Sequence, residues 1–332
     1  MPESNATAWP WVRARLSGLR PAGRPGGRRG GSAVVRTAVV TDSAAALPAD
    51  YSSGLSRDGI LTVTPMPVMV GAEIYGEGED DILETIAVAL AAGTPVKTSR
   101  PSPGQFEQAY RAAQQRGFEG IVSVHISGEL SGTADAARLA ATRVGIPVDV
   151  VDTRTVGMAQ GMAVQAAVEA AAAGADGAAV AAAAMAQASR TKVYFYVPSL
   201  EQLRRGGRIG AAASLLGTML AIKPILAVDG GRIVPLEKVR STARAVARLE
   251  EIVVAEAAAR PGESVCLAVH HFGNPEEAKS LAARLEAALP GCPPAQISSL
   301  PAVLAAHAGL GVLAVIVGRV GNGSGGAPHS PT

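Results

Sequence analysis

Residues 120–126, GIVSVHI, run directly into 127–133, SGELSGT, and then into an alanine-rich segment from Ala134 to Thr142. A nearly unbroken apolar run, ended by small polar residues and followed by a helix, is the pattern of a strand buried on both faces in a parallel sheet. The same grammar recurs on either side. Ala33 to Val40 reads as a β-branched strand ending in Thr41-Asp42-Ser43, Gln105 to Gly117 as a helix closed by glycine, and Val148 to Asp152 as a short strand. Two alanine-rich helices follow, at about Gly157 to Ala173 and Gly177 to Ser189. Alternating strands and helices of this kind predict a doubly wound α/β domain.

The rhythm changes after residue 189. Val193 to Val197, Ile222 to Val228, Arg232 to Leu236, Val265 to His270 and Val312 to Gly318 read as strands, and Asp229-Gly230-Gly231 marks a hairpin. Helices are expected at Ser199 to Arg204, Thr242 to Ala259 and Pro275 to Leu289. The fold class is therefore α/β, an N-terminal doubly wound parallel-sheet domain (35–189) joined to a C-terminal α+β domain with a mixed or antiparallel sheet (190–318). In the first domain, Ile60 to Val70 is extended, with Pro65 and Pro67 pointing to an irregular or edge strand, and Asp80 to Leu90 is helical. The apolar run from Leu300 to Gly318 is interrupted by Pro301, His307 and three glycines, which predicts two buried strands around a tight turn.

Composition excludes several functions. The formal net charge is +2, but residues 1–36 hold seven arginines and one acid, so this arm carries +6 and the other 296 residues −4. An acidic body offers no electrostatic case for nucleic acid. The Arg-Gly-Pro arm (1–34) and the tail (319–332) are expected to be disordered. Aromatics make up 3% of the chain and aliphatics dominate its 48% hydrophobic content, so any ligand cavity should be smooth and aliphatic. Cys266 and Cys292 have neither zinc spacing nor disulfide-scaffold density, and no segment has the form of a signal peptide. A cytoplasmic protein is expected.

Three groups of residues could carry chemistry. Thr41-Asp42-Ser43, Thr98-Ser99 and Ser127-x-x-x-Ser131-Gly132-Thr133 follow predicted strands, where hydroxyls and free backbone N–H groups can hold an anion; each could equally be a helix cap. No phosphate-binding loop or dinucleotide fingerprint accompanies them, which leaves a carboxylate or inorganic anion. His307, followed by Gly309 and Gly311, could meet a ligand or be a satisfied turn residue, whereas His125 reads as core and His270-His271 as surface. Arg204, Arg205 and Arg208, with Lys238 and Arg240, form the cationic group; Arg208, behind two glycines, is least easily read as a solvated face. Glu77, Glu79, Asp80 and Asp81 read as a solvated loop. A serine hydrolase built from Ser127 or Ser131 with His307 and Asp42 is an alternative, though no nucleophile elbow surrounds either serine.

Taken in order, Thr41-Asp42-Ser43, Lys97-Thr98-Ser99-Arg100-Pro101-Ser102, Ile126-Ser127-x-x-Leu130-Ser131-Gly132-Thr133, Leu203-x-x-Gly206-Gly207-Arg208-Ile209, Ile222-Lys223-Pro224-Ile225, Lys238-Val239-Arg240 and His307-x-Gly309-x-Gly311 resemble the DegV family of bacterial fatty-acid-binding proteins, from about Val35 to Gly318. The resemblance implies a two-domain protein with a long-chain fatty acid (palmitate or oleate class) in a tunnel between the domains. It implies no cofactor, at most transient membrane contact, and a partner, the ATP-binding subunit of a fatty acid kinase, which phosphorylates the bound carboxylate. By motif, Thr98, Ser99 and Ser127 would hold the carboxylate with His307 close by, and Arg208 and Arg240 would dock the kinase or steady its phosphoryl group. The chain departs from the family pattern at Gly128, Ala221, Ala306 and Ala308. Three functions are therefore weighed: a non-catalytic fatty acid carrier, the serine hydrolase, and an anion-sensing module.

Overall fold

The computed structural model describes residues 36–76, 82–215, 222–259 and 264–320. Thirteen strands are described: β1 Thr37–Asp42, β2 Leu61–Thr64, β3 Val68–Val70, β4 Glu73–Tyr75, β5 Val96–Thr98, β6 Gly120–His125, β7 Val148–Asp152, β8 Lys192–Tyr196, β9 Lys223–Asp229, β10 Arg232–Val239, β11 Ser264–His271, β12 Gln296–Ser299 and β13 Leu313–Val320. They form three sheets.

The N-terminal sheet has the order β2-β1-β6-β7 and is parallel throughout. Helices Pro103–Gln115 and Thr133–Ala141 cover one face, where Phe106 and Tyr110 pack with Ile121 and Ala137. Helices Met158–Ala172 and Gly177–Ser189 cover the other. This is the expected doubly wound domain. The C-terminal sheet, β10-β9-β8-β13-β11-β12, is antiparallel except for the β11/β12 pair, hence mixed. Its outer face packs on helices Thr242–Ala258 and Pro275–Ala288 through Leu249, Leu281 and Leu285.

Its inner face meets helix Met158–Ala172, which is sandwiched between the two large sheets. Twelve of that helix's fifteen residues are buried, so it shows no amphipathic stripe. Small side chains make this possible, because alanines let two sheets approach one helix from opposite sides without leaving voids. One apolar core consequently runs from Val39 and Val122 of the first sheet to Phe195, Ala268 and Ile316 of the second.

Several elements differ from the sequence reading. Leu300 to Gly318 is a helix, Ala302–Ala308, followed by one strand, β13. Pro301 precedes the helix with φ −50° and ψ 145°, and Gly309 ends it at φ +82°. A seven-residue run that is apolar but for one histidine is too short to show a period, which is why a buried helix was indistinguishable from a strand there. Ile60 to Val70 divides at Pro65 and Pro67 between β2, in the parallel sheet, and β3, in a small antiparallel sheet of order β4-β3-β5. β12 is short, polar and at a sheet edge, and had no sequence signal. β13 continues through Val320, so Arg319 is in the sheet and buried, two residues into the expected tail. The remainder of that tail, the arm and the acidic set Glu77, Glu79, Asp80 and Asp81 lie outside the described residues.

The ends of β1 and β6 are tied by one buried carboxylate. Asp42 Oδ2 accepts from Ile126 N at 3.1 Å and lies 2.8 Å from His125 Nδ1; Oδ1 accepts from Ala44 N and Gln160 Nε2, each at 3.1 Å. His125 Nε2 is 2.7 Å from Ser123 Oγ, which accepts from Tyr110 OH at 2.8 Å. His125 is thus the core residue it was read as. Replacing Asp42 by alanine strands four donors in a dry interior. Asp42→Ala should lose about 3–5 kcal/mol of stability, measurable as a lower urea midpoint; an unchanged midpoint would show that the network is not structural.

Candidate functional site

A cavity opens between the two large sheets, with about 870 Å³ of space including its mouth. Most of its wall is aliphatic. Ile126 comes from the end of β6, Val193 and Phe195 from β8, Ala314 and Ile316 from β13, and Val303 from helix Ala302–Ala308.

Polar lining gathers at connected positions. Thr98, the last residue of β5, has its Oγ1 2.7 Å from His307 Nε2. Burial, then the nearby Arg208 charge, pushes the His307 pKa down to about 4, so the imidazole is neutral at pH 7. Gly206 makes room for it, since a Cβ there would collide with His307 Nδ1. Arg208 donates from Nε to Leu130 O at 3.0 Å and from Nη1 to Gly206 O at 2.6 Å. Ser131 lies beside that loop with its Oγ 2.8 Å from Thr133 Oγ1, and Ser99 and Arg100 complete this part of the wall. The site thus offers hydroxyls, a neutral imidazole and two guanidinium groups, and among the described residues no aspartate or glutamate lines it. Such a set takes an anionic head group on an apolar body.

Of the residues singled out in the sequence, the structure brings Thr98, Ser99, His307 and Arg208 to this cavity. Ser127 is not among its lining. It is fully buried and donates to Gly231 O at 2.7 Å while accepting from Glu129 N at 3.2 Å. One hydroxyl proton serves one acceptor, so in this arrangement Ser127 holds the β9–β10 turn rather than facing a ligand. Arg232 reinforces that docking through Glu129 Oε2 at 2.8 Å, and Arg154 donates to Gly230 O. Gly231 has φ +87° and would carry a Cβ into Ser127 Oγ, so only glycine suits it. Arg240 is exposed after β10 and away from the lining. Arg204 and Arg205 both pair with Glu201, holding its carboxyl down to about 2, as a solvated charged face would.

The hydrolase constellation does not assemble. Ser127 binds Gly231, His307 binds Thr98 and Asp42 binds His125, so no two of the three are bonded to each other.

His270 and His271 correct the surface reading, because β11 is an interior strand of its sheet and both side chains are buried. His270 lines the cavity. Its Nε2 accepts from Met158 N at 3.1 Å and its Nδ1 lies 2.9 Å from Ser298 Oγ. Ser131, one of the hydroxyls that could hold an anion, also lines the cavity, whereas Arg100 was passed over as a ligand although it lies in a quoted motif beside Thr98 and Ser99.

A parallel doubly wound sheet and a mixed six-stranded sheet enclosing an aliphatic cavity define a two-domain α/β class. The chain belongs to the DegV family: that family's model, described as an uncharacterised protein of the DegV family, matches residues 36–319. A DegV domain-containing protein of Streptomyces coelicolor is 47% identical over 280 residues, 84% of this chain and 97% of that one. Among solved structures, a fatty-acid-binding DegV family protein from Thermus thermophilus is 32% identical with a TM-score of 0.76, covering 86% of this chain and 100% of that one. DegV of Bacillus subtilis, described as a fatty acid binding protein, is 28% identical with a TM-score of 0.75 over 86% and 100% of the two chains. Among the described residues, no helix is long and apolar enough to cross a membrane.

Burial also lowers His270 to about 4. His270, His307 and, lowered first by burial, His271 have folded pKa values below the unfolded value of about 6.5 and refuse protons that the unfolded chain accepts. Stability should therefore be fullest above pH 6.5 and fall as pH drops toward 4. The urea midpoint should decline between pH 6.5 and 5, above the range of ordinary carboxylates, and His270→Asn should flatten that slope; a flat wild-type profile would contradict it.

Proposed function

We propose that this protein is a non-catalytic carrier that holds a long-chain fatty acid of the palmitate or oleate class in the inter-sheet cavity. The observation that carries this reading is an aliphatic chamber whose polar lining, His270 apart, gathers in one connected cluster around Thr98, His307 and Arg208. The fatty-acid-binding descriptions of the Thermus and Bacillus relatives support it.

The energetics suit a tail-driven ligand. Each buried CH₂ contributes about 0.8 kcal/mol, so a dozen outweigh a charge-assisted hydrogen bond of about 1.5–3 kcal/mol. The hydroxyls then orient the carboxylate more than they retain the molecule. The carboxylate is assigned to Thr98 and Ser99 with His307 beside it; Ser127 would join only by releasing Gly231 O. The bound acid is presented, in this reading, to a separate fatty acid kinase subunit, with Arg208 beside the phosphoryl group and Arg240 on the docking face. The free cysteines Cys266 and Cys292 fit a reducing, cytoplasmic setting.

Native mass spectrometry of the purified protein should show one co-purifying long-chain acid. Thr98→Ala should weaken palmitate about tenfold with the melting temperature unchanged. A protein that arrives empty and binds neither palmitate nor oleate would sink the reading. A fluorophosphonate probe should leave every serine unlabelled; labelling of Ser127 would restore the hydrolase.

A further inference from the structure

Arg100 stands apart from the other arginines around the cavity. Arg204 and Arg205 are committed to Glu201, Arg232 to Glu129 and Arg154 to Gly230 O, while Arg208 spends Nε and Nη1 on backbone carbonyls. The Arg100 guanidinium lines the same cavity and has no hydrogen-bond or ion-pair partner among the described residues.

Its position makes this unusual. The Nη1 atom lies against Gly132, only 2.9 Å from where a Cβ would stand there. Gly132 is the N-cap of helix Thr133–Ala141 and makes no side-chain cap. A guanidinium set against the positive end of a helix gains nothing from that contact, and both favour an anion placed between or beside them. Asp135, the acid of that first turn, is exposed and paired with Arg138, so it does not neutralise the spot.

We propose that Arg100 is a specificity residue for head-group charge, ranking ligands of equal chain length as phosphate monoester over carboxylate over ester. This rests on the lipid-binding reading above and adds to it the residue that reads charge. The physical basis is donor supply. Arg100 contributes five unspent N–H donors and Arg208 Nη2 contributes more, beyond what the two oxygens of a carboxylate can absorb once Thr98 and Ser99 are engaged. A phosphate monoester brings three terminal oxygens and up to two charges. Because Arg100 is exposed, its effect is modest and salt-sensitive.

The test is displacement of a fluorescent fatty acid by hexadecyl phosphate, palmitate and methyl palmitate, for wild type, Arg100→Gln and Arg100→Lys, at low and high salt. Wild type should prefer the phosphate at low salt. Arg100→Gln should lose about fivefold for hexadecyl phosphate, about twofold for palmitate and nothing for methyl palmitate, and Arg100→Lys should recover part of the loss. Equal changes for all three ligands, or none, would overturn the role of Arg100 while leaving lipid binding standing. A wild type that binds none of the three overturns the lipid-binding reading itself, and this inference with it.

Discussion

The Asp42 carboxylate is the constraint on which the rest of the site depends. It sits where β1 ends, and its two oxygens receive the backbone of Ile126 where β6 ends, the ring of His125, the turn at Ala44 and the amide of Gln160 on the central helix. Three separate elements are thereby fixed to one point. The loop that carries Leu130 and Ser131 leaves from that point, and Arg208 in turn holds Leu130 O. Burying a charge is costly unless donors surround it. Here they do, which converts a costly group into a rigid reference for the cavity's polar end.

The central helix supplies the second constraint. A helix between two sheets must be thin, and Met158–Ala172 is thin because it is mostly alanine, glycine and valine. The sheets then share one core, and the cavity opens beside it, walled by residues of both sheets. The small sheet β4-β3-β5 completes it by delivering Thr98, and helix Ala302–Ala308 brings His307 to meet it. Residues more than two hundred positions apart thus meet side chain to side chain in the wall.

Much of this was legible in the residues. The parallel sheet followed from apolar runs such as 120–126 that end in small polar residues, and Thr98, Ser99, His307 and Arg208 stood out by motif. What escaped had physical reasons. Helix Ala302–Ala308 is seven residues long and apolar but for His307, too short a run to show a period. His270 looked like surface because histidine pairs are usually exposed, and only the strand order places β11 inside. Ser127, a carboxylate ligand by the family resemblance, donates in this structure to Gly231 O, 104 positions away, a bond that a linear reading does not show. Arg100 was passed over because the absence of a partner cannot be seen in a linear chain.

β13 lies in the middle of its sheet, between β8 and β11, although it is the last strand described. Its alternate residues face opposite ways, Ala314 and Ile316 into the cavity and Leu313, Val315 and Val317 into the outer core. On the ribosome the chain appears from its N-terminus, so the parallel sheet and its helices can settle early. The β8–β9–β10 meander and the β11–β12 pair must wait, each with an open edge, until residues 313–320 arrive to join them. One wall of the inter-sheet cavity therefore closes only when residues 313–320 emerge, and a chain stalled short of them would have its first sheet without the cavity.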